Sequence, residues 1–226
     1  MSLGKQKIQM QGASCIAPVS GDFNGSSSKI TFGGNPINGK TNVSYSFWVK
    51  PHASSFYGLI MLFNGGSSGK KGVGVRMRSN RILNMIIGNG STSYHSYAES
   101  SSALTVDSWN HVVTTTSQSQ TKFYINGSLD VTRSTGTFQT DNSTHAAIGH
   151  FPQATQYLNG QLDDIRIYGD ILSENEVGYI YNNTTASIPT DNLIAHYKLD
   201  CDVTDEQGNF DGINTDVTFV DDPAFT

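Results

Sequence analysis

Short runs of alternating hydrophobic and polar residues recur along the chain, and turn residues separate them. In one run, Tyr45, Phe47 and Val49 share a face and Trp48 lies on the other. Other strand-like runs cover residues 29–32, 58–63, 73–77, 82–87, 109–116, 146–149 and 161–168; the run at 58–63 is continuously apolar. A period of two predicts strands, and many short strands at near-regular spacing are typical of a β-sandwich or barrel.

Two local signals are sharper than the alternation. Asn126 and Gly127 stand between two strand-like runs, and this dipeptide predicts a hairpin because a type I′ turn needs positive φ at both central residues. Ser173 and Glu176 form a capping-box pattern, in which each side chain satisfies the other's backbone N–H. We therefore predict one short helix over about 173–182.

Charge is unevenly distributed over the 226 residues, whose formal net charge is -5. Residues 191–226 carry nine acidic residues and one basic residue, so the rest of the chain is mildly basic. An acidic tail of this kind could dock onto the body, onto a neighbouring copy or onto a metal ion. No basic stripe is present, which argues against a nucleic-acid partner.

Targeting and redox signals are few. Residues 1–12 contain no apolar core of a secretory signal, and no run approaches the ~20 apolar residues of a membrane span, so we expect no membrane insertion. The two cysteines, Cys15 and Cys201, form no CxxC pair. We favour two free thiols; the alternative is a bridge, which requires an oxidising compartment.

Six motifs occur in an order that resembles a known family. They are FNGSSSKI at 23–30, SFWVKP at 46–51, SWNHVV at 108–113, KFYING at 122–127, NGQLDDIRIY at 159–168 and LSENEV at 172–177. Together they resemble the bacterial and phage branch of laminin G-like domains, in the concanavalin A-like lectin/glucanase superfamily. The resemblance implies an all-β, two-sheet antiparallel jelly-roll sandwich with one short helix.

The resemblance also divides the chain. Residues 1–21 are predicted to be an N-terminal extension, 22–183 the jelly-roll body and 184–226 a C-terminal segment. In the family, the first strand precedes the motif that resembles FNGSSSKI. In this chain, the segment that resembles that first strand lies near the C-terminus, at residues 193–200. Its alternating apolar residues are Leu193, Ala195, Tyr197 and Leu199.

Three interpretations of this displaced strand stay open. It completes the sandwich of its own chain, it completes that of a neighbouring copy, or it begins a second repeat. An idle tail is disfavoured, because a sandwich without this strand would expose unpaired backbone groups at a sheet edge.

Carboxylates near the C-terminus predict a structural calcium site rather than catalysis. No strand carries a carboxylate pair for glycoside hydrolysis, and no other catalytic motif appears, so we predict no enzyme and no catalytic residues. Hard oxygen ligands suit calcium. The candidate ligands are Asp163, Asp200, Asp202, Asp205 and Asp211.

Asp163 enters this set through the resemblance, since it matches an aspartate in the last strand of jelly-roll relatives that hold calcium. Strand parity also places Asp163 on the inner face with Ile165 and Ile167. The alternative is a solvated acidic loop, with Asp163 hydrogen-bonded to backbone.

Aromatic side chains in predicted loops are candidates for ligand binding. Tyr94, His95 and Tyr97 lie in one loop and Phe151 in another, with asparagine and serine nearby. Such side chains could stack on sugar rings and bond hydroxyl groups. The alternative is packing between loops.

Two functions follow from these patterns. The first is a phage virion protein, a head decoration or tail component, that assembles with copies of itself or with other virion proteins. The second is a carbohydrate-binding or adhesion module of a bacterial or phage surface protein. Both place the chain on a virion or another extracellular surface, and fold alone does not choose between them.

Overall fold

The computed structural model describes residue 16 and residues 18–55, 57–64, 69–92, 96–141, 146–152 and 154–225. In chain order the strands are β1 (Ser20–Asn24), β2 (Lys29–Thr31), β3 (Val43–Pro51), β4 (Tyr57–Asn64), β5 (Lys71–Met77), β6 (Ile82–Asn89), β7 (Ser96–Ala103), β8 (Asn110–Thr116), β9 (Gln120–Ile125), β10 (Ser128–Ser134), β11 (Ala146–Ile148), β12 (His150–Phe151), β13 (Gln156–Tyr157), β14 (Asn159–Tyr168), β15 (Leu193–Tyr197), β16 (Ile213–Thr215) and β17 (Thr218–Val220). Helix α1 (Glu174–Tyr181) and a 3-10 turn (Thr185–Ser187) lie between β14 and β15.

Two antiparallel sheets enclose one hydrophobic core, which confirms the predicted jelly-roll sandwich. Sheet A has the order β10-β9-β8-β3-β14-β1-β17, and β15 also pairs with β14. Sheet B has the order β16-β2-β11-β4-β5-β6-β7, and β12 and β13 form a separate ribbon. Both sheets contribute buried side chains to the same cluster, so the interior is a single core. The described residues contain no helix long and apolar enough to cross a bilayer.

The alternation read from β3 is confirmed. Tyr45, Phe47 and Val49 lie in the core between the sheets. Trp48 lies on the outer face of sheet A, where its ring stacks on Tyr181 with centroids 5.7 Å apart. The helix therefore shields the part of this outer face around Trp48 from water.

The predicted hairpin and helix are also confirmed. Asn126 and Gly127 have φ values of 51° and 77°, as a type I′ turn between β9 and β10 requires. Ser173 caps α1, and both hydrogen bonds of the capping box with Glu176 are present. The helix ends at Tyr181 with Asn182 as its C-cap, within a residue of the predicted boundary.

Residues of α1 pack on the outer face of sheet A in a second apolar cluster. Val177 and Ile180 are buried there against Val113, Tyr124 and Tyr168. The helix lies on the chain directly after β14, so a short connection is enough to fold it back over the strand.

The C-terminal segment pairs with its own chain in both sheets. One edge of β14 holds β1 along residues 159–162 and β15 along residues 165–168. β17 extends sheet A beyond β1, and β16 extends sheet B beyond β2. Ala195, Tyr197 and Leu199 enter the main core, whereas Leu193 packs against the cluster under the helix. β1 begins at Ser20, so the described chain joins the sheet two residues before the predicted start of the body.

Three local predictions differ from the structure. Residues 96–103 form β7, although their polar sequence had predicted a loop at Tyr97. β8 begins at Asn110, so Trp109, the first residue of the predicted run at 109–116, precedes the strand. Cys201 is disulfide-bonded, so the preferred interpretation of it as a free thiol is wrong, and the chain's other cysteine, Cys15, lies outside the described residues.

Candidate functional site

A polar cleft of about 500 Å³ opens on the outer face of sheet A, away from the helix. Three strands meet there in register: Asp22 of β1 lies opposite Gln161 of β14, which lies opposite Lys50 of β3. Their chain neighbours Phe23, Leu162 and Val49 belong to the core. Because side chains alternate along a strand, the three polar residues form one row on the outside.

The backbone around this row is tightly packed at Gly160. Its φ is 155°, and a Cβ atom there would lie 2.5 Å from the carbonyl oxygen of Lys50. Only glycine lets β14 approach β3 this closely, and the approach brings Gln161 beside Lys50. The NGQ sequence at 159–161 therefore shapes the floor of the cleft.

Backbone hydrogen bonds hold the rim of the cleft. The His52 amide donates to the Asn159 carbonyl at 2.9 Å, and the Asp107 amide donates to the Pro51 carbonyl at 2.8 Å. The side chains of His52 and Asp107 then meet, with Nδ1 and Oδ1 2.9 Å apart. These contacts fix two hydrogen-bonding side chains at the opening before any ligand arrives.

The C-terminal segment forms the opposite wall. The Lys50 ammonium lies 2.7 Å from a carboxylate oxygen of Asp222, and both side chains are more than four-fifths buried. The Ser20 hydroxyl donates to the Asp222 carbonyl at 3.0 Å. The wall next to Val220 is therefore tied to β1 and β3 from two sides.

The side-chain oxygen of Gln161, in this cleft, accepts no hydrogen bond from the described residues. The residue is only 5% exposed, and its Oε1 has no hydrogen-bond partner in the described part of the chain. A buried amide oxygen without a partner costs about 1–3 kcal/mol. A ligand hydroxyl that donates to it would recover this free energy on binding. Asn24 differs, because its Oδ1 already accepts the backbone amides of the turn at 26–28.

The predicted calcium ligands are not brought together. Asp205 accepts four backbone amides, from His196 and Gln207 at one oxygen and from Asn209 and Phe210 at the other. Its carboxylate thus organises the loop between β15 and β16, as a capping residue does.

Asp211 and Asp202 have the same role in this loop. Asp211 accepts the Asp205 amide at 3.0 Å, and Asp202 accepts the Thr204 amide at 2.9 Å. No group of three or more metal-ligating side chains occurs among the residues that the structure describes. The five carboxylates therefore do not fit one calcium site.

Asp163 and Asp200 lie elsewhere, in a second pocket of about 310 Å³. The inward orientation predicted for Asp163 is wrong, since β14 has a bulge between Asp163 and Arg166. Asp164 adopts a φ of 48° there, and the extra residue lets both Leu162 and Ile165 face the core. Parity counted across a bulge reverses, so Asp163 points outward.

Burial dominates the electrostatics of this second pocket. It raises the pKa of Asp163 to about 7, and the nearby carboxylates of Asp164 and Asp200 add to the shift. The Ala224 amide donates to Asp163 at 2.8 Å. Asp164 contacts the Arg166 guanidinium at 2.7 Å and the His196 ring at 2.8 Å. Most charges here are thus engaged within the protein.

Of the predicted aromatic ligand residues, Tyr94 and His95 lie outside the described residues. Tyr97 lies on β7 with 49% of its surface exposed, whereas Phe151, on the short strand β12, is buried. The Arg76 guanidinium lies 5.9 Å from the centroid of the Tyr97 ring and 5.4 Å from that of Phe151. Phe151 packs in a small cluster on the outer face of sheet B with Met61, Phe63 and Ile86. Phe151 is thus a packing residue, as the alternative interpretation had it.

Sequence reasoning missed the polar cleft because its floor belongs to strands distant in the chain. The available signal was parity: Gln161 next to the core residue Leu162 has to face outward. Parity alone does not give the neighbours of Gln161, which follow from the register between β1, β14 and β3.

Comparison with known proteins agrees with this architecture. The family model described as "Concanavalin A-like lectin/glucanases superfamily", of laminin G type, matches residues 24–178. Adhesion G-protein coupled receptor V1 of Danio rerio is 25% identical over 146 residues, which is 62% of this chain and 2% of that receptor. The chain thus spans a small fraction of that relative's length.

Two solved structures share the fold. One, a candidate carbohydrate-binding protein from Bacteroides ovatus, has a TM-score of 0.68 at 17% identity, over 91% of this chain and 60% of that one. The other, a heptameric SAP-like pentraxin from Limulus polyphemus, has a TM-score of 0.61 at 15% identity, over 92% and 97%. Because the family match covers more than half of the chain, this protein belongs to the laminin G-like family of the concanavalin A-like lectin/glucanase superfamily.

Proposed function

We propose that this chain is a non-catalytic carbohydrate-binding module and that its polar cleft binds a saccharide. The observation that carries the proposal is the buried side chain of Gln161, whose Oε1 has no partner at the floor of a cleft of about 500 Å³. A sugar hydroxyl is a suitable donor for it. The cleft size falls within the range of small-ligand sites.

The rim supports the same proposal. His52, Asp107 and Asn159 present ring nitrogen, carboxylate and amide groups around the opening. Sugars expose several hydroxyl groups in fixed directions, and a site that recognises them needs several such polar groups held in place. The backbone bonds at His52 and Asp107 provide this preorganisation, which lowers the entropy lost on binding.

A glycan array followed by isothermal titration calorimetry tests the proposal. The chain is expected to bind at least one glycan class, and Gln161→Leu is expected to weaken that binding about tenfold, as loss of one hydrogen bond of about 1.4 kcal/mol would. Leucine keeps the volume of the side chain but removes the acceptor. Gln207→Leu is the matched control, because Gln207 is exposed and lies outside the cleft.

Thermal unfolding of each variant separates lost recognition from lost folding. A Gln161→Leu protein that unfolds at the wild-type temperature but binds less tightly supports the proposal. Silence across the array, confirmed by calorimetry at millimolar sugar, would refute it, and so would equal affinities for Gln161→Leu and wild type.

Assembly into a phage virion stays a prediction. One of its motivations was a displaced first strand that could complete a neighbouring subunit, and β15 pairs with β14 of the same chain. The geometry therefore favours the binding module as the leading hypothesis. Mass measurement at micromolar concentration tests assembly: a strict monomer counts against it.

A further inference from the structure

We infer that Asp107 is a positioning residue, which holds the ring of His52 in the tautomer whose Nε2 accepts a hydrogen bond. Nε2 and the Oε1 of Gln161 then form a pair of acceptors in the cleft, and this pair selects free hydroxyl groups. The inference rests on the proposed function and narrows the ligand to a saccharide whose contacted hydroxyls are unsubstituted. Saccharides with O-methyl or O-acetyl groups at those positions are excluded.

The contact between His52 and Asp107 fixes the position of the ring proton. His52 Nδ1 lies 2.9 Å from Asp107 Oδ1. An ionised carboxylate only accepts hydrogen bonds, so Nδ1 has to carry the proton. In the neutral ring Nε2 then has a lone pair and no proton, and it is an acceptor. Nε2 makes no hydrogen bond with the residues that the structure describes, so it is available to a ligand.

The backbone holds Asp107 beside the ring. Its φ is 56°, in the left-handed region, which aspartate and asparagine adopt more readily than most residues. Its amide donates to the carbonyl of Pro51, the residue that precedes His52, at 2.8 Å. The carboxylate therefore meets the ring before any ligand arrives, and it acts on the ligand through His52.

Gln161 Oε1 is the second acceptor, buried at the floor of the cleft and without a partner among the described residues. Two neighbouring donors are already engaged. Lys50 Nζ contacts a carboxylate oxygen of Asp222 at 2.7 Å. Asn24 Nδ2 donates to Ser27 Oγ at 2.9 Å. The two open acceptors require two donors from the ligand, which hydroxyl groups supply and ether or ester oxygens do not.

The first experiment locates the ring proton by the nitrogen chemical shifts of His52 in the full chain, followed as the pH is raised until they stop changing. His52→Gln identifies the signals. The proton is expected on Nδ1 in the wild type. Asp107→Asn keeps the shape of the side chain and suits the left-handed backbone, but its amide can donate to Nδ1 and so move the proton to Nε2. Asp191→Asn, an exposed aspartate outside the cleft, is the control and should leave the shifts unchanged.

The second experiment measures the binding of methyl glucoside, methyl galactoside and methyl mannoside by calorimetry, together with derivatives in which each hydroxyl in turn is replaced by hydrogen or by fluorine. Fluorine can accept a hydrogen bond weakly but cannot donate one. Two hydroxyls of a bound sugar are therefore expected to lose about tenfold in affinity with either replacement. Gln161→Leu should abolish one of these two losses, and Asp107→Asn the fluorine loss at the other position, because Nε2 then donates.

Each arm can overturn the inference. A wild-type His52 with its proton on Nε2 would do so whether or not any sugar binds. Fluorinated sugars that bind as tightly as their parents, or losses that Asp107→Asn leaves unchanged, would overturn the inference and leave the proposed function intact. Silence of all three parents beside a positive array would do the same, since the acceptor pair is expected to hold one sugar residue. Silence on the array as well would overturn the proposed function too.

Discussion

Replacing Tyr197 tests whether the C-terminal segment is part of the core. Tyr197 is fully buried on β15, its ring stacks on Phe32 with centroids 5.6 Å apart, and its hydroxyl donates to the Phe210 carbonyl at 2.6 Å. Truncating a buried aromatic side chain to alanine costs about 3–5 kcal/mol, and a lost hydrogen bond about 1 kcal/mol. We expect Tyr197→Ala to lower the free energy of unfolding by about 4 kcal/mol, and Tyr197→Phe by about 1 kcal/mol.

Urea unfolding followed by fluorescence, with calorimetric melting as the second measurement, gives both values. For a chain of this length, a loss of about 4 kcal/mol corresponds to a fall in Tm of roughly 8–16 °C. Lys198→Ala is the control on the same segment: its pair with Glu206 is half exposed and contributes at most about 1 kcal/mol. If Tyr197→Ala costs less than about 1 kcal/mol, the segment is a loose appendage and the reasoning fails.

Three further predictions concern single carboxylates and a turn. Asp205→Ala removes the acceptor of four backbone amides, so it should lower the free energy of unfolding by about 3 kcal/mol, equally in EDTA and in millimolar calcium. A loss of stability seen only with calcium would support a metal role instead. Asp163 has its pKa raised to about 7 by burial, so its contribution to stability is present below the unfolded pKa near 3.8 and is lost as the pH rises through 7. The free energy of unfolding of Asp163→Asn should therefore rise relative to that of wild type between pH 4 and pH 8, by up to about 4 kcal/mol. Urea titrations at several pH values measure this difference, and a difference that does not change with pH would refute the raised pKa. Gly127→Ala should cost about 1–3 kcal/mol, because φ is 77° and the new Cβ would lie 2.6 Å from the Tyr181 ring; wild-type stability would contradict this packing.

Much of the fold could be predicted because local patterns reflect local physics. The hairpin at Asn126 and Gly127 and the helix capped by Ser173 depend on backbone conformations and hydrogen bonds within a few residues. Alternation in β3 reports which side chains are buried, whatever the partner strand is. β7 was missed because its sequence SYAESSSA is polar, and it is held by pairing with β6.

The candidate site was predicted only in part, and the reason lies in β14. Counted from Leu162, parity places both Gln161 and Asp163 on the outer face, which is correct. Counted from Ile165, across the bulge, it places Asp163 on the inner face, which is wrong. A single inserted residue reverses the facing of every position counted across it. The acidic run around Asp205 resembled a metal site, but its oxygens are directed to backbone amides of its own loop.

The sequence by itself determined an all-β sandwich with one capped helix, since hydrophobic period, turn residues and capping act over short distances. Only the tertiary structure decided that β15 shares the edge of β14 with β1, and that Asp22, Gln161 and Lys50 form one row. Gln161 lies more than a hundred positions along the chain from both Asp22 and Lys50, and no local interaction fixes their register. Their proximity is set by core packing of many strands at once, which leaves the amide of Gln161 buried at the floor of the cleft.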